Sequence, residues 1–382
     1  MYNPSKIVIN KSALETNLNF IRSWIGKRKL SCVVKGNAYG HGIETYIPLA
    51  ENCGVDHFSV FSADEAVRVK AASNSKPDIA IMGWLDNASM EWAITEDISF
   101  WVFDRHRLEM AIETATKLGL KARIHLELET GMNRTGFEEN DLSSVIQSVT
   151  NNRNQLVVEG ICTHFAGAES ISNFYRIERQ IEKYGRMAAQ LKNAGITPRY
   201  EHTCCSAAAL RFPHMMLDLV RIGILQYGFW PSQEVFIEYS RTRDTHEEPL
   251  KRLISWQSEV ISIKHIAKGE YIGYGTSFLA QRDMQIGIVP VGYAHGFSRA
   301  LSNQGRAIVN GTRVAVLGTV NMNSIAIDIS EASQTRIGDR VTLIGKEGDV
   351  EISVASFSEA SNQLNYELLT RLPADIPRTV EL

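Results

Sequence analysis

The sequence has few of the features that mark secreted or membrane-bound proteins. Its five cysteines are scattered over 382 residues and none forms a Cys-x-x-Cys pair, so we expect reduced thiols, no clustered metal site and a cytoplasmic protein. No apolar run is long enough to span a bilayer. The apolar stretch near the N-terminus, residues 7–9, is too short for a signal sequence and lacks a cleavage site of small residues. We therefore expect neither membrane association nor secretion.

An excess of charge of one sign is also lacking. The chain carries 40 Lys and Arg against 43 Asp and Glu, for a formal net charge of −3. Proteins that bind nucleic acid or anionic lipid need concentrated Lys and Arg, so we predict neither partner. The 44% hydrophobic and 22% charged residues are typical of a globular protein, and the length fits two domains.

The first part of the chain alternates between short β-rich apolar runs and helical patterns. The runs cover residues 30–35, 57–61, 79–84, 98–103, 122–129, 157–164, 200–206 and 220–228. Eight strands that alternate with helices are typical of a (β/α)₈ barrel, also called a TIM barrel. No Gly-x-Gly-x-x-Gly follows the first run, which argues against a dinucleotide-binding sheet. An apolar helix face at Leu14, Leu18, Ile21 and Ile25 precedes these runs, and Ser12 with Glu15 predicts a capping box at its start.

The texture of the sequence changes after about residue 240. The charged run 241–249 predicts a linker. It is followed by strand-like runs at 256–263, 285–291, 307–309, 313–317, 324–329 and 340–344. We therefore predict an α/β protein with a barrel domain at 1–240 and a mainly β domain at 241–382, although a first strand at about 5–11 could join the second domain.

The ends of the predicted barrel strands carry chemically useful side chains. In barrels, catalytic groups lie at the C-terminal ends of the strands. The first run ends in Lys35, and a glycine-rich turn with Tyr39 follows. A desolvated lysine at this place loses proton affinity and can form a Schiff base with a carbonyl, although position alone also allows a surface lysine.

The last three runs end in, or contain, further polar groups. His164 and His202 lie near the ends of two of them, and Arg221 lies in the last. Ser206, Gly223 and Ile224 offer a hydroxyl and backbone N–H groups in the loops with which barrels commonly bind phosphate. The spacing therefore allows a phosphate site in the loops after the seventh and eighth runs.

Residues 33–42, VVKGNAYGHG, resemble the pyridoxal 5'-phosphate (PLP) lysine motif of alanine racemases. Other segments resemble further motifs of that family in the same order: 130–136 (TGMNRTG), 163–166 (THFA), 221–224 (RIGI), 227–228 (YG), 273–276 (GYGT) and 292–296 (GYAHG). The resemblance runs from Ile7 to Arg378. Because independent chance matches multiply, their joint occurrence favours a cofactor role for Lys35 over that of a surface lysine.

The resemblance implies a PLP-dependent isomerase that interconverts L- and D-alanine and supplies D-alanine for peptidoglycan. It also implies a homodimer in which each active site combines the barrel of one subunit with the β domain of the other. Lys35 would attach the cofactor and act as one base, and the partner subunit's Tyr274 would be the other. The resemblance further implies that the phosphate is bound by Tyr39, Ser206, Gly223 and Ile224. Arg221, supported by His164 and His202, would contact the cofactor's ring nitrogen, and Arg134 would contact its phenolic oxygen and the substrate. Met322 would bind the substrate carboxylate, and Tyr293 would line the entrance to the site.

Two bases suit racemisation, because a proton leaves one face of the α-carbon and returns to the other. Lys35 would serve the D-substrate and Tyr274 the L-substrate. Both side chains have ordinary pKa values near 10, so desolvation and nearby cations such as Arg221 and Arg134 must lower them. Arg221 rarely gives up its proton and would leave the ring nitrogen unprotonated, which suppresses side reactions.

Four positions depart from the family pattern. Glu127 stands where members commonly have a carbamylated lysine, and we expect it to supply the same negative charge, with Glu129 as a rival. Asn323 and His295 replace aspartates. Ala374 replaces a gate tyrosine, which predicts a wider pocket and favours, as an alternative, a broad-specificity or serine racemase.

Two other classes remain open. A non-catalytic PLP-binding barrel protein would resemble only the barrel half, so the C-terminal domain and Tyr274 count against it. A barrel-type amino-acid decarboxylase takes a C-terminal cysteine from its partner, whereas every cysteine here precedes Ser206.

Overall fold

The structure is a computed structural model that describes Asn3 and residues 5–241, 247–361 and 365–381. Part of the predicted linker, 242–246, lies outside these residues. The chain divides into two compact units. The barrel unit comprises Ala13–Lys35 and Tyr46–Lys251, and the β unit comprises the described residues of Met1–Ser12, Gly36–Thr45 and Arg252–Leu382. Within the described residues, no helix is both long enough and apolar enough to cross a membrane.

Strands are numbered along the chain, and the first, β1 (Lys6–Asn10), belongs to the β unit. The barrel unit contains β2 (Lys29–Val33), β3 (His57–Val60), β4 (Asp78–Ile81), β5 (Ser99–Val102), β6 (Ala122–Glu127), β7 (Leu156–Cys162), β8 (Tyr200–His202) and β9 (Leu219–Ile222). These eight strands are parallel in the order β8-β7-β6-β5-β4-β3-β2-β9. Two backbone hydrogen bonds, from Asp218 to Glu201 at 2.9 Å and from Arg221 to Cys204 at 3.1 Å, join the last strand to the segment of β8. The sheet is therefore a nearly closed barrel, and the predicted barrel fold is confirmed.

Helices alternate with these strands. Their bounds are Lys11–Ile25, Ile43–Asn52, Ala63–Ala72, Asn87–Thr95, Arg105–Leu118, Leu142–Asn151, Phe174–Asn193, Ser206–Arg211 and Gln233–Arg241. The first buries Leu14, Leu18, Ile21 and Ile25 as predicted. The predicted capping box is wrong, because the chain passes from β1 straight into a helix that begins at Lys11, so Ser12 lies inside it.

Several predicted strands extend past the observed ones at their C-terminal ends. The run 220–228 ends as a strand at Ile222, and Ile224–Tyr227 forms a 3₁₀ turn. The backbone leaves the extended conformation at Gly223, whose ψ is −99°. The apolar residues after it are buried all the same, so hydrophobicity alone could not show where the strand ends.

The β unit consists mainly of one sheet. After β1 it contains β10 (Ile254–Glu259), β11 (Ser262–Ile266), β12 (Met284–Val289), β13 (Arg306–Val309), β14 (Thr312–Leu317), β15 (Ile325–Asp328), β16 (Arg340–Glu347), β17 (Val350–Ile352) and β18 (Arg378–Glu381). The order is β11-β12-β15-β14-β13-β16-β10-β1-β18, with β17 beside β16. The predicted run 256–263 is thus two strands. Helices Val354–Ser361 and Asn365–Thr370 make the unit mainly, rather than wholly, β.

Candidate active site

Lys35 lies two residues beyond the end of β2, at the C-terminal end of the barrel strands. Its side chain is open to solvent, yet protein atoms surround it densely. Desolvation lowers the pKa of its ammonium group, and the positive charges of Arg134 and Arg221 lower it further. The neutral amine that nucleophilic attack or proton removal requires is therefore easier to reach at Lys35 than at an ordinary lysine.

The predicted glycine-rich turn after Lys35 is a left-handed helical turn. Gly36, Asn37, Ala38 and Tyr39 have φ values of 63°, 56°, 53° and 51°, and the Gly40 N–H donates to the Gly36 carbonyl at 3.0 Å. Three consecutive residues with a Cβ in this region cost about 1–2 kcal/mol each. Strain of this kind persists where the surroundings impose it, and it is often found at functional sites.

Arg221 is fixed by four hydrogen bonds to the barrel unit. Its Nη1 donates to Nδ1 of His202 and to the His202 carbonyl at 3.0 Å, and Nη2 donates to the carbonyls of Thr163 at 2.8 Å and Thr203 at 3.2 Å. Its guanidinium carbon lies 5.2 Å from the centre of the Trp101 ring. A guanidinium has five N–H donors, so among the described residues the Nε–H is the one that these contacts leave for a ligand.

None of these four hydrogen bonds of Arg221 involves His164, to which the family resemblance assigns a supporting role. The His164 carbonyl accepts from the Gln180 side chain at 3.0 Å. Burial and the cations Arg221, Arg134 and Lys35 lower the pKa of its imidazole to about 3. His164 is therefore neutral at physiological pH, and His202 is the histidine that holds Arg221.

Ser206 and Gly223 connect the loops after β8 and β9. The Gly223 N–H donates to Ser206 Oγ at 2.9 Å. Ser206 keeps its hydroxyl hydrogen as a donor, and the Ile224 N–H, as the first of a 3₁₀ turn, has no acceptor within that turn. Ser206 and Gly223 are thus in contact, and Ile224 follows Gly223 directly in the chain.

Glu127 and Glu129 follow each other on β6 and the loop after it, but their partners differ. Glu129 accepts from the backbone N–H groups of Gly131 and Arg134 and so orders the loop that carries Arg134. Oε2 of Glu127 is buried without a hydrogen-bond partner among the described residues. Burial raises the pKa of Glu127, although Thr135, Arg134 and Arg221 act in the opposite direction.

The other predicted site residues lie in the β unit. Tyr274 is 74% exposed, Met322 55% and Tyr293 44%, whereas Tyr39 is 7% exposed and packs against the ring of Tyr366 at 5.9 Å. Tyr274 lies in a loop, and its backbone carbonyl accepts a hydrogen bond of 3.3 Å from the Thr319 hydroxyl.

The backbone of the β unit also brings Tyr293 beside Met322. The N–H groups of Tyr293 and Ala294 donate to the carbonyls of Asn321 and Met322, each at 3.0 Å. A Cβ on Gly292 would lie 2.1 Å from the Asn321 carbonyl oxygen, so this approach requires glycine. Tyr293 and Met322 are therefore neighbours on an exposed surface of the unit.

Sequence reasoning missed the groups behind Arg221. His125 on β6 contacts His202 at 2.9 Å and Ser99 on β5 at 3.2 Å, and all three side chains are buried. The sequence does place two polar residues, Ser99 and His125, inside apolar runs. Which residues they contact depends on the register of the strands, which the sequence does not show.

The residues present fit PLP. A lysine of lowered pKa, an arginine with an open Nε–H and the donors of Ser206 and Ile224 supply a carbonyl-reactive amine, a donor for a ring nitrogen and donors for a phosphate. These three chemical needs are met within one unit, at the ends of β2, β8 and β9.

Comparisons with known proteins identify the family to which the chain is similar. The family model "Alanine racemase, N-terminal domain" matches residues 9–231, and "Alanine racemase, C-terminal domain" matches residues 253–380. The alanine racemase of Leptospira interrogans is 33% identical over 381 residues, which cover 98% of this chain and 95% of that protein. Two solved structures, the alanine racemase of Clostridium difficile 630 and that of Bacillus anthracis with bound L-Ala-P, have TM-scores of 0.91 and 0.90 at 28% and 29% identity, and each comparison covers 100% of this chain and 96% of the other.

Proposed function

Because this chain belongs to the alanine racemase family, we propose that it is a PLP-dependent isomerase that interconverts L- and D-alanine. The observation that carries the proposal is the pairing of Lys35, whose pKa is lowered, with Arg221, whose Nε–H is open, at the same end of one barrel. A site that binds a carbonyl cofactor and transfers a proton needs these two groups, a reactive amine and a donor for the cofactor ring.

The residues of the barrel unit would hold the cofactor and tune it. PLP, when bound, withdraws electrons from the α-carbon of the amino acid and so makes its α-proton acidic. Ser206, Gly223 and Ile224 would bind the phosphate. Arg221 would donate its Nε–H to the ring nitrogen and, because a guanidinium hardly releases a proton, keep that nitrogen unprotonated.

Proton transfer needs a base on each face of the α-carbon. The neutral amine of Lys35 would take the α-proton of D-alanine, and the phenol of Tyr274 would serve L-alanine. Arg134, placed by the loop that Glu129 orders, would bind substrate and the cofactor's phenolic oxygen. The roles of Tyr39, Tyr274, Tyr293 and Met322, which lie in the β unit, are proposed on the family resemblance.

We also propose a homodimer in which the partner subunit's Tyr274 completes each site. The 74% exposure of Tyr274 and the 55% exposure of Met322 support this proposal, because a base and a substrate contact work best shielded from water. The family models leave residues 232–252 unmatched, which supports a domain boundary near 240. Five free cysteines support a cytoplasmic location, and D-alanine is the product expected to enter peptidoglycan.

A solvent-exchange experiment tests the activity. The protein with PLP is incubated with pure L- or D-alanine in deuterated water, and chirality and α-deuterium are followed together. We expect both to change at comparable rates. Binding of PLP with no exchange would favour the non-catalytic carrier, and release of carbon dioxide would favour the decarboxylase.

Two pairs of variants test the bases. Lys35→Ala should abolish covalent PLP attachment, seen as a mass adduct after borohydride reduction, while Lys29→Ala, at the start of the strand that precedes Lys35, should retain it. Tyr274→Phe should keep the adduct but lose racemisation, while Tyr271→Phe in the same loop should keep both. Full racemisation by Tyr274→Phe would overturn the two-base assignment.

A further inference from the structure

A chain of buried hydrogen bonds crosses the barrel interior behind Arg221. From Arg221 on β9 it passes to Nδ1 of His202 on β8, then from Nε2 of His202 to Nδ1 of His125 on β6 at 2.9 Å. It continues from Nε2 of His125 to Ser99 Oγ on β5 at 3.2 Å, and from that hydroxyl to the Ile79 carbonyl on β4 at 3.0 Å. The four side chains are at most 4% exposed.

The two ends of this chain fix the direction of every hydrogen bond in it. A guanidinium can only donate, and a carbonyl can only accept. His202 must therefore present an unprotonated Nδ1 to Arg221 and carry its proton on Nε2. His125 must then accept at Nδ1, carry its proton on Nε2 and donate to Ser99, whose hydroxyl donates to Ile79.

Both imidazoles are neutral in this arrangement, and their surroundings agree. Desolvation holds the pKa of His202 and of His125 well below the ordinary value, and the positive charge of Arg221 adds to the effect. Addition of a proton to either ring would turn an acceptor in the chain into a donor and break one link.

The chain of hydrogen bonds requires a glycine on β7, which leaves space for the two imidazole rings. Gly160 lies on β7, between β6 and β8, and pairs with His125 in the sheet. A Cβ at Gly160 would lie 2.2 Å from Nδ1 of His125 and 2.7 Å from Nε2 of His202. Any other residue would occupy the space in which the two rings meet, so Gly160 is part of the same device.

We propose that His125, Ser99 and Gly160 are positioning residues for Arg221. They hold His202 in the tautomer that accepts from the guanidinium, and so keep the Nε–H of Arg221 where it serves the cofactor's ring nitrogen. The last step rests on the proposed function, whereas the tautomers and the chain belong to the protein without cofactor.

Nitrogen-15 NMR of histidine-labelled protein without cofactor tests the chain directly. We expect single Nε2–H tautomers for His125 and His202, assigned from the signals lost in His125→Phe and His202→Phe. Ser99→Ala should add the Nδ1–H tautomer to the His202 signal, because the chain then ends at His125 and the Nε2–H tautomer is favoured by the Arg221 end alone. Ser99→Thr, which keeps the hydroxyl, should preserve the single tautomer, and so should Ser59→Ala, a buried serine of β3 whose hydroxyl bonds to Ser31 instead.

Cofactor binding supplies the second measurement. Ser99→Ala and Gly160→Ala should raise the PLP dissociation constant about tenfold, the loss expected for one hydrogen bond to a charged group, while Ser59→Ala should leave it unchanged. An unaltered His202 tautomer in both Ser99→Ala and His125→Phe would overturn the proposal, even if racemisation fell. Failure of the wild type to bind PLP would instead count against the proposed function and leave the tautomer result to stand by itself.

Discussion

The backbone N–H of Gly223 donates a hydrogen bond of 2.9 Å to the side-chain oxygen of Ser206. The contact ties the loop after β9 to the loop after β8, where barrels commonly bind phosphate. The Ser206 oxygen accepts this hydrogen bond with one lone pair, so its hydroxyl hydrogen remains available to a ligand. One side chain therefore both shapes the loop and offers a donor to a phosphate.

Ser206→Ala should raise the PLP dissociation constant at least tenfold. The variant loses a donor to a charged phosphate and also leaves the Gly223 N–H without its acceptor, which together cost about 1.5–3 kcal/mol. Equilibrium titration of PLP fluorescence measures the change. Ser258→Ala is the matched control, because Ser258 is also 5% exposed and its hydroxyl has no partner among the described residues. Equal affinities of the two variants would remove Ser206 from the phosphate site.

Gly40→Ala should destabilise the protein far more than Gly269→Ala. Both glycines have positive φ, 80° and 92°, so each alanine costs about 1 kcal/mol of backbone strain. A Cβ at Gly40 would also lie 1.9 Å from the Leu369 carbonyl oxygen, whereas none of the described atoms lies within 4 Å of one at Gly269. The overlap adds about 1–3 kcal/mol. Urea unfolding of the two variants measures the difference, and similar midpoints would show that the turn after Lys35 can move away from Leu369.

Glu127→Gln should stabilise the protein increasingly as pH rises. The fold raises the pKa of Glu127, so the native state binds its proton more tightly than the unfolded state does. The stability that this proton provides is complete below the unfolded-state pKa, about 4.3, and is lost as pH rises through the higher folded value. Glutamine has no such loss, so the difference in the free energy of unfolding between variant and wild type should grow from pH 4 towards neutrality.

The same variant tests the role of Glu127 as a negative charge beside Arg134. Glu127→Gln should weaken PLP affinity and lower turnover, and unchanged values of both would show that the charge is not needed. Glu129→Gln gives the contrast. It weakens the two backbone hydrogen bonds that order the Arg134 loop and should lower stability at neutral pH rather than raise it.

The sequence predicted which strand ends carry the chemistry, because a barrel brings all its strand ends to one place. Lys35, Ser206 and Arg221 were selected as candidate site residues in this way. The chain of hydrogen bonds from Arg221 to Ser99 could not be predicted, since it depends on which residues of neighbouring strands share a level in the barrel. Hydrophobic runs do not fix that register.

Local backbone conformation was the second feature that the sequence could not predict. The residues 33–42 predicted a glycine-rich turn, but the left-handed conformation continues through Asn37, Ala38 and Tyr39, which no residue preference would predict. It is imposed by contacts with distant residues, such as the hydrogen bond of 2.9 Å from Arg378 to the Gly40 carbonyl. Similarly, Gly223 ended β9 earlier than its apolar neighbours suggested.

Ala374→Tyr should narrow the substrate range. The family's closing motif resembles residues 366–378 but has a tyrosine where this chain has Ala374, and Ala374 is exposed. If the missing ring widens the pocket, the wild type should racemise serine as well as alanine, and restoring the ring should lower the ratio of kcat/KM for serine to that for alanine by about tenfold, the usual scale for steric discrimination of one small group. Asp375→Tyr places the same ring at the neighbouring exposed position and should leave the ratio unchanged. Chirality assays with a panel of amino acids decide the matter, because a wild type active on alanine alone would show that the missing ring does not set the substrate range.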